Sequence, residues 1–215
     1  MITVLIATKG RPAKLARCLA SIPRSIPVAI HATCREDLYI GDWKDAPMWA
    51  STSTGPENIV QAFNLLAHPN RSIPGSYLLP VPDDVRFAEG FFDHLQSWAS
   101  NHPEQQVIGC PVTNRKHNDD AVTLVHRSAI DARGYLFDPR FEHFFIDYEL
   151  GRWAKQRKVF GVCPQATLEH FHPEVSGEYD DTHRHRRMDK WRHDKAIWDQ
   201  IRGKGPAPAA ATAQM

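Results

Sequence analysis

The sequence is poor in the features that mark several large classes of protein. Its 215 residues include only four cysteines, none in a CxxC pair, which argues against a zinc knuckle or a disulfide framework and favours reduced thiols in a cytosol. The formal net charge is +1, so no global charge favours nucleic acid or a membrane surface. No apolar run approaches the roughly 20 residues of a membrane span, and no basic segment precedes the short apolar start. We therefore expect a soluble, cytoplasmic protein.

The first thirty residues have a strand-helix-strand pattern. Residues 2–7 are a continuous apolar run, as in a strand that is buried on both faces. Pro12 suits the first position of a helix, and a second apolar run follows at 28–32. Such a β-α-β unit implies a parallel sheet, because its two strands are joined by a crossover helix.

The same kind of pattern continues to about residue 201. Further strands are predicted at 76–81, 107–112, 122–126, 159–163 and 166–168, with helices at 57–67, 89–99, 145–155 and the second half of 180–201, and an irregular segment at 36–56. We expect one α/β domain over residues 1–202, with a mostly parallel central sheet flanked by helices. The Ala/Pro-rich residues 203–215 are expected to be a disordered tail.

Two adjacent carboxylates follow the strand predicted at 76–81. Asp83 and Asp84 would lie at the carboxyl ends of the strands, where ligands of open α/β sheets gather. Neighbouring carboxylates repel each other unless a cation or hydrogen-bond donors neutralise them, and Mg²⁺ and Mn²⁺ prefer oxygen ligands. Capping of the next helix is the competing interpretation, because aspartate is a common capping residue. The local pattern leaves both interpretations open.

Other candidate residues follow in the second half of the chain. Asp147 and Glu149 stand at the start of a predicted helix, where acidic residues suit the helix dipole and where a carboxylate is also a candidate general base. His170 and His172 follow a predicted strand, so alternation would place them on opposite faces. One of them is a candidate metal ligand beside the Asp pair, whereas ordinary surface polarity is the alternative interpretation.

The densest basic stretch of the chain runs from residue 182 to 193 and includes Arg184. Aspartates beside and within it would balance a solvated helix face. The functional alternative is a clamp on a pyrophosphate or another polyanion, which guanidinium groups bind well.

Taken in order, these segments resemble the family 2 type of inverting glycosyltransferase, which has the fold called GT-A. Val4–Pro12 resembles that family's first strand and nucleotide loop, and Tyr77–Val85 resembles the strand that ends in its Asp-x-Asp metal motif. Gly134–Phe141 is similar to its GxFD element. Phe145–Leu150 stands where the family has its Glu-Asp catalytic segment, and Thr167–His172 where it has a late metal-binding histidine.

The resemblance is to a compact form, since the chain is short for the family, and it implies roles for individual residues with two further departures. Pro82 replaces the first Asp of the metal motif, which leaves Asp84 as the metal ligand, and Ile146 replaces the family's Glu, which leaves Asp147 as the base. Glu149 is the rival base. The His-Pro ending favours His172 over His170 as the second ligand. The residues that would bind the nucleotide sugar are Ala7, Thr8, Lys9, Arg11, Thr33, Asp83 and Arg184.

The implied function is metal-dependent transfer of a sugar from a nucleoside diphosphate sugar to an acceptor hydroxyl. Mn²⁺ or Mg²⁺ would stabilise the leaving diphosphate, and one base without an enzyme nucleophile implies inversion. The acceptor is left open among a glycan, a small molecule and modified DNA. One alternative is a nucleotidyltransferase that uses the same carboxylates. The other is a nucleic-acid-binding module that uses residues 183–193, against which the near-neutral charge counts.

Overall fold

The computed structural model describes residues 1–33, 35–38, 48–52, 58–113, 122–171 and 187–203. Its strands are β1 (Ile2–Thr8), β2 (Val28–Ala32), β3 (Met48–Thr52), β4 (Tyr77–Pro82), β5 (Val85–Phe87), β6 (Val107–Gly109), β7 (Thr123–His126), β8 (Phe160–Val162) and β9 (Leu168–His170). Its α-helices are α1 (Pro12–Ala20), α2 (Ile59–Ala67), α3 (Phe91–Asn101), α4 (Arg127–Arg133), α5 (Ile146–Gln156) and α6 (Arg187–Ile201). Among these described helices, none is both long and apolar enough to cross a membrane.

In the described part of the chain, a seven-stranded sheet has the order β3-β2-β1-β4-β7-β6-β8, and β5 pairs with β9 in a separate two-stranded sheet. β1 runs parallel to β2 and β4, β2 to β3, and β6 to β8, whereas β7 runs antiparallel to both β4 and β6. The sheet is therefore mostly parallel and flanked by helices, which confirms the α/β fold predicted from the sequence.

Both faces of the sheet are covered, which explains the unbroken apolar run of β1. Val4 and Ile6 pack on one face in a cluster that includes buried residues of α1 and α3. Leu5 packs on the other face with residues of α2, α4 and α5. A strand with helices on both sides buries every side chain and so has no polar alternation.

Several parts of the sequence prediction were wrong, and the short strand β5 was not predicted. Residues 36–56 were expected to be irregular, but β3 lies within them as the edge strand beside β2. Its sequence, Met-Trp-Ala-Ser-Thr, has no alternation of apolar and polar residues that would mark it as a strand. Helix α4 was missed because it is short and buries only Ala129 and Ile130. The predicted tail at 203–215 lies outside the described residues except for Gly203.

The strand predicted at 107–112 is shorter in the structure. β6 ends at Gly109, and Val112 forms an isolated bridge with Leu168 instead. This bridge brings the chain before β9 toward the sheet, which matters for the placement of the late histidine.

Candidate functional site

Asp83 is a fully buried carboxylate at the end of β4. The β1–β4 register pairs Ala7 with Pro82, and this places the next residue of β1 beside the aspartate. Thr8 Oγ1 donates to Asp83 Oδ2 at 2.6 Å, and Arg11 Nε donates to the same oxygen at 3.0 Å. The second guanidinium contact, from Arg11 Nη2 to Asp83 Oδ1, is 2.5 Å long. The side chain of Asp83 thus ties the loop after β1 to the end of β4.

The protonation of Asp83 is set by opposing effects. Burial raises the pKa of the carboxyl, the charge of Arg11 and the Thr8 hydroxyl lower it, and the net pKa is about 6. Because its oxygens are engaged within the protein, Asp83 orients Arg11 in this structure. Its direct contact with a nucleotide sugar stays a prediction.

Asp84 shares Arg11 with Asp83, and its other partner, His170, belongs to the two-stranded sheet. The β5–β9 register pairs Val85 with His170, and Phe171 N donates to the Asp84 carbonyl at 2.8 Å. These backbone contacts place His170 Nε2 at 3.0 Å from Asp84 Oδ1. Arg11 Nη1 lies 3.7 Å from the other carboxylate oxygen. The structure therefore joins two of the three predicted metal-binding residues.

The surroundings of Asp84 favour its ionised form. Burial opposes ionisation, but the hydrogen bond and charge of His170, together with the charges of Arg11 and Lys14, outweigh burial and lower the pKa of Asp84 to about 2. Lys14 was not singled out from the sequence. Lys14 lies in the first turn of α1, three residues after the N-cap Arg11, and this closeness in sequence is the signal that could have identified it.

The Asp84 and His170 side chains combine two ligand types that divalent ions accept. A carboxylate oxygen and an imidazole nitrogen lie 3.0 Å apart, at hydrogen-bond distance, and both are available to one ion at this position. Within the residues that the structure describes, no group of three or more His, Cys, Asp and Glu side chains has ligand spacing. Mg²⁺ and Mn²⁺ sites commonly combine a few protein ligands with substrate phosphates, so a two-residue site suits this chemistry.

The loop after β1 is held by a carboxylate that the sequence prediction missed. Gly10, which has a φ of 63°, donates its N–H to Asp37 Oδ2 at 2.6 Å, and Asp37 is buried. Thr33 N donates to the Thr8 carbonyl at 3.2 Å. The predicted donor-binding residues Ala7, Thr8, Lys9, Arg11 and Thr33 are thereby gathered at the ends of β1 and β2. No periodicity marks Asp37, because it lies in a short 3₁₀ turn after β2.

Asp147 lies in the first turn of α5, on a different element from this cluster. Its side chain is half-buried, and Tyr148 N donates to Asp147 Oδ1 at 2.9 Å. The residue before the helix, Phe145, has a φ of 63° in the left-handed region. A non-glycine residue in that region costs roughly 1–3 kcal/mol and persists where its surroundings fix it. Asp147 is thus presented by a backbone of defined shape.

Glu149 has a different environment from Asp147. Its carboxylate is buried, and Oε2 lies 2.5 Å from Nη2 of Arg133, whose own side chain is only 1% exposed. Burial raises the pKa of Glu149, against the lowering influence of Arg133. The pair joins α4 to α5. This geometry favours a structural role for Glu149.

Glu149→Gln is expected to lower the free energy of unfolding by roughly 3 kcal/mol, since Arg133 would keep a buried charge without a counter-charge. Urea unfolding at neutral pH measures the change. Glu169→Gln is the matched control, because Glu169 pairs with Arg86 at 2.6 Å on the surface, where such pairs contribute about 0–1 kcal/mol. Wild-type stability in Glu149→Gln would contradict the structural role.

Two predicted site residues, His172 and Arg184, lie outside the described residues, so their roles stay predictions. Of the basic stretch, the part from residue 187 onward forms the start of α6. The choice between His170 and His172 as metal ligand also stays open, although the contact with Asp84 favours His170.

Comparison with known proteins identifies the fold. No protein-family model matches the sequence, and no curated protein matches it significantly. Among solved structures, the mannosyltransferase PcManGT from Pyrobaculum calidifontis, in complex with GDP-Man and Mn²⁺, is similar with a TM-score of 0.71 at 14% identity over 96% of this chain. S. aureus TarS 1-349 in complex with UDP-GlcNAc is similar with a TM-score of 0.63 at 12% identity over 83% of this chain.

The chain spans 65% of the length of PcManGT and 61% of TarS 1-349. These likenesses show that the chain has the GT-A fold, as the order of its motifs predicted.

Proposed function

We propose that this chain transfers a sugar from a nucleoside diphosphate sugar to an acceptor hydroxyl with inversion, using Mn²⁺ or Mg²⁺. The observation that carries the proposal is the Asp84–His170 pair, at 3.0 Å, at the carboxyl end of a central strand of a GT-A fold. The bound GDP-Man, UDP-GlcNAc and Mn²⁺ of the structural neighbours support the same ligand chemistry.

The residues around this pair suit a diphosphate. Asp84 and His170 would hold the ion, which when bound supplies positive charge to the leaving diphosphate. Arg11, fixed by Asp83, and Lys14 add cationic charge on the same side. The loop of residues 7–11 and Thr33 would line the nucleotide. Arg11 and Lys14 balance the charges of Asp83 and Asp84, so a bound divalent ion would leave the site positive and would favour an anionic ligand.

Asp147 would act on the acceptor. A carboxylate in the first turn of a helix is stabilised in its charged form, and it would take the proton of the acceptor hydroxyl as that oxygen attacks the anomeric carbon. The bond from the anomeric carbon to the diphosphate oxygen then breaks, and the nucleoside diphosphate leaves. One displacement without a covalent enzyme intermediate inverts the anomeric configuration.

A ligand screen followed by product identification tests the proposal. The protein is heated with GDP-Man, UDP-GlcNAc, GDP and UDP, each with Mn²⁺, with Mg²⁺ and with EDTA. A true donor should raise the melting temperature only with metal, because the ion would bind its diphosphate. A ligand at about 100 times its Kd stabilises the native state by about 2.7 kcal/mol, so the shift is measurable. The donor found is then incubated with candidate glycan, small-molecule and modified-DNA acceptors.

The products decide the reaction class. Release of nucleoside diphosphate with an inverted glycosidic product is the expected result. Release of pyrophosphate from a nucleoside triphosphate would instead identify a nucleotidyltransferase. If no nucleotide or nucleotide sugar stabilises the protein with either metal, the proposed function is wrong.

A further inference from the structure

The helix α6 carries a carboxylate that is buried as completely as the core of the sheet. Asp194 has no exposed side-chain surface. Its Oδ1 accepts from Glu142 N at 2.9 Å, and its Oδ2 accepts from His143 N at 2.8 Å and from Phe144 N at 2.7 Å. Hydrogen bonds from backbone amides to an ionised carboxylate are among the stronger ones in proteins. One side chain of α6 therefore fixes three consecutive peptide groups.

Those peptide groups lead directly into the helix that carries Asp147. The next residue is Phe145, whose left-handed backbone precedes the first turn of α5. Its ring stacks on that of Trp198 of α6, with ring centres 6.2 Å apart and planes 9° from parallel. A strained backbone of this kind needs neighbours that fix it. Here α6 supplies two such neighbours: the carboxylate of Asp194, which binds the amides just before Phe145, and the indole of Trp198, which stacks on its ring.

The other contacts of α6 with this segment fall on the same face of the helix. Lys190 Nζ lies 3.5 Å from Glu142 Oε2, and His193 Nε2 lies 3.1 Å from the carbonyl oxygen of Arg140. Residues 190, 193, 194 and 198 have the spacing of one helical face. Asp194 is the fully buried residue of this face. It accepts three hydrogen bonds from backbone amides, whereas His193 makes one contact with a backbone carbonyl.

We propose that Asp194 is a positioning residue for sugar transfer: it sets the backbone of residues 142–145 and thereby the direction in which Asp147 presents its carboxylate. This role rests on the proposed function. Asp194 itself need not touch donor or acceptor. Misplacement of a reacting group by about 1 Å costs on the order of 100-fold in rate. Loss of the carboxylate that orients the segment before Asp147 should therefore lower kcat.

The donor site depends on other elements. Thr8, Arg11, Asp84 and His170 belong to β1, the loop after it, the end of β4 and β9. Loss of Asp194 should therefore lower kcat and leave the affinity for the donor unchanged. Damage to the whole fold would weaken both, so the ratio of the two effects separates a positioning role from a structural one.

The test compares Asp194→Asn and Asp194→Ala with the matched control Asp189→Asn. Asp189 lies on the same helix with a 90% exposed side chain and a loose 3.6 Å contact to Arg192. In Asp194→Asn the amide NH₂ would face backbone N–H donors, so we expect kcat to fall by roughly 100-fold with the donor KM within about twofold. Amide hydrogen exchange at residues 142–147 should speed up in this variant and stay unchanged in Asp189→Asn.

Chemical rescue adds a second readout. Asp194→Ala leaves a small cavity beside three backbone donors, and added formate or acetate should bind there and restore part of the transfer rate. The same anions should not restore Asp147→Asn, because the isosteric amide fills the space that an added carboxylate would need.

The outcomes separate the two proposals. If wild-type protein transfers sugar and Asp194→Asn keeps the wild-type kcat, or loses donor affinity as much as kcat, the positioning role is wrong and the proposed function stands. An equal loss of kcat in Asp189→Asn would also overturn the role of Asp194. If wild-type protein transfers no sugar from any donor, the proposed function fails, and the positioning role fails with it.

Discussion

Asp147→Asn is expected to lower sugar transfer by roughly 10²–10⁴-fold while donor binding stays nearly unchanged. The amide keeps the shape of the carboxylate and loses its basicity, so the acceptor hydroxyl has no group to take its proton. The hydrogen bond from Tyr148 N to the side-chain oxygen can persist, because the Asn carbonyl accepts it as well. The donor cluster on β1, β4 and β9 is untouched. Initial transfer rates and calorimetric titration of the donor with Mn²⁺ measure the two effects.

Two further variants control this experiment. Asp93→Asn removes an exposed aspartate from the first turn of α3, so it reproduces the loss of helix-dipole stabilisation, a few tenths of a kcal/mol, without touching the site. Glu149→Gln tests the rival base. If Glu149→Gln folds stably and is inactive while Asp147→Asn is active, the base is Glu149 and the role of Asp147 is wrong.

Asp84→Ala is expected to abolish metal-dependent nucleotide binding, with a loss of affinity of more than about 100-fold. Removal of a group that merely orients a metal ligand already costs about 10–100-fold, and Asp84 would be a ligand itself. The fold should survive, because the backbone contact with Phe171 and the Asp83–Arg11 pair do not need the Asp84 side chain. Titration of nucleoside diphosphate with Mn²⁺ and with EDTA measures the affinity. Unchanged affinity with Mn²⁺ would remove Asp84 from the site.

The histidine ligand is identified in the same titration. Of His170→Ala and His172→Ala, one should lose Mn²⁺ affinity severely and the other mildly, and the 3.0 Å contact with Asp84 favours His170 as the ligand. His94→Ala, which changes an exposed histidine of α3, is the control. Two mild losses would mean that neither histidine binds the ion.

Local patterns of the sequence were sufficient for the framework of the fold. The unbroken apolar run at the start predicted a strand buried on both faces, and β1 lies between β2 and β4 with helices on each side. Periodicity predicted the longer helices, because a helix that covers a sheet must repeat its apolar positions every 3.6 residues. It missed β3, β5 and α4, which are short and so carry little periodic signal.

The motif order also placed Asp83 and Asp84 at the end of a strand, but local chemistry did not distinguish neighbouring acids, and only the family resemblance assigned them different roles. Asp83 and Asp84 are adjacent and chemically identical. Asp147 and Glu149 are two positions apart and differ by one methylene group. Strand pairing separates the first two: it sets Thr8, 75 positions away in sequence, against Asp83 and sets His170 against Asp84. The buried Arg133 separates Asp147 from Glu149, because its guanidinium pairs with the carboxylate of Glu149.

Asp194 shows the same limit most clearly. In the sequence it is one of several acids in a charged segment, typical of a solvated helix face. In the structure it is completely buried against the backbone amides of Glu142, His143 and Phe144, about 50 positions earlier in the chain. The sequence by itself determined most strands of the sheet and the main helices, because these follow from local periodicity. Only the tertiary structure decided which carboxylate faces a histidine, an arginine or a row of amides, because those contacts depend on the register and docking of distant elements.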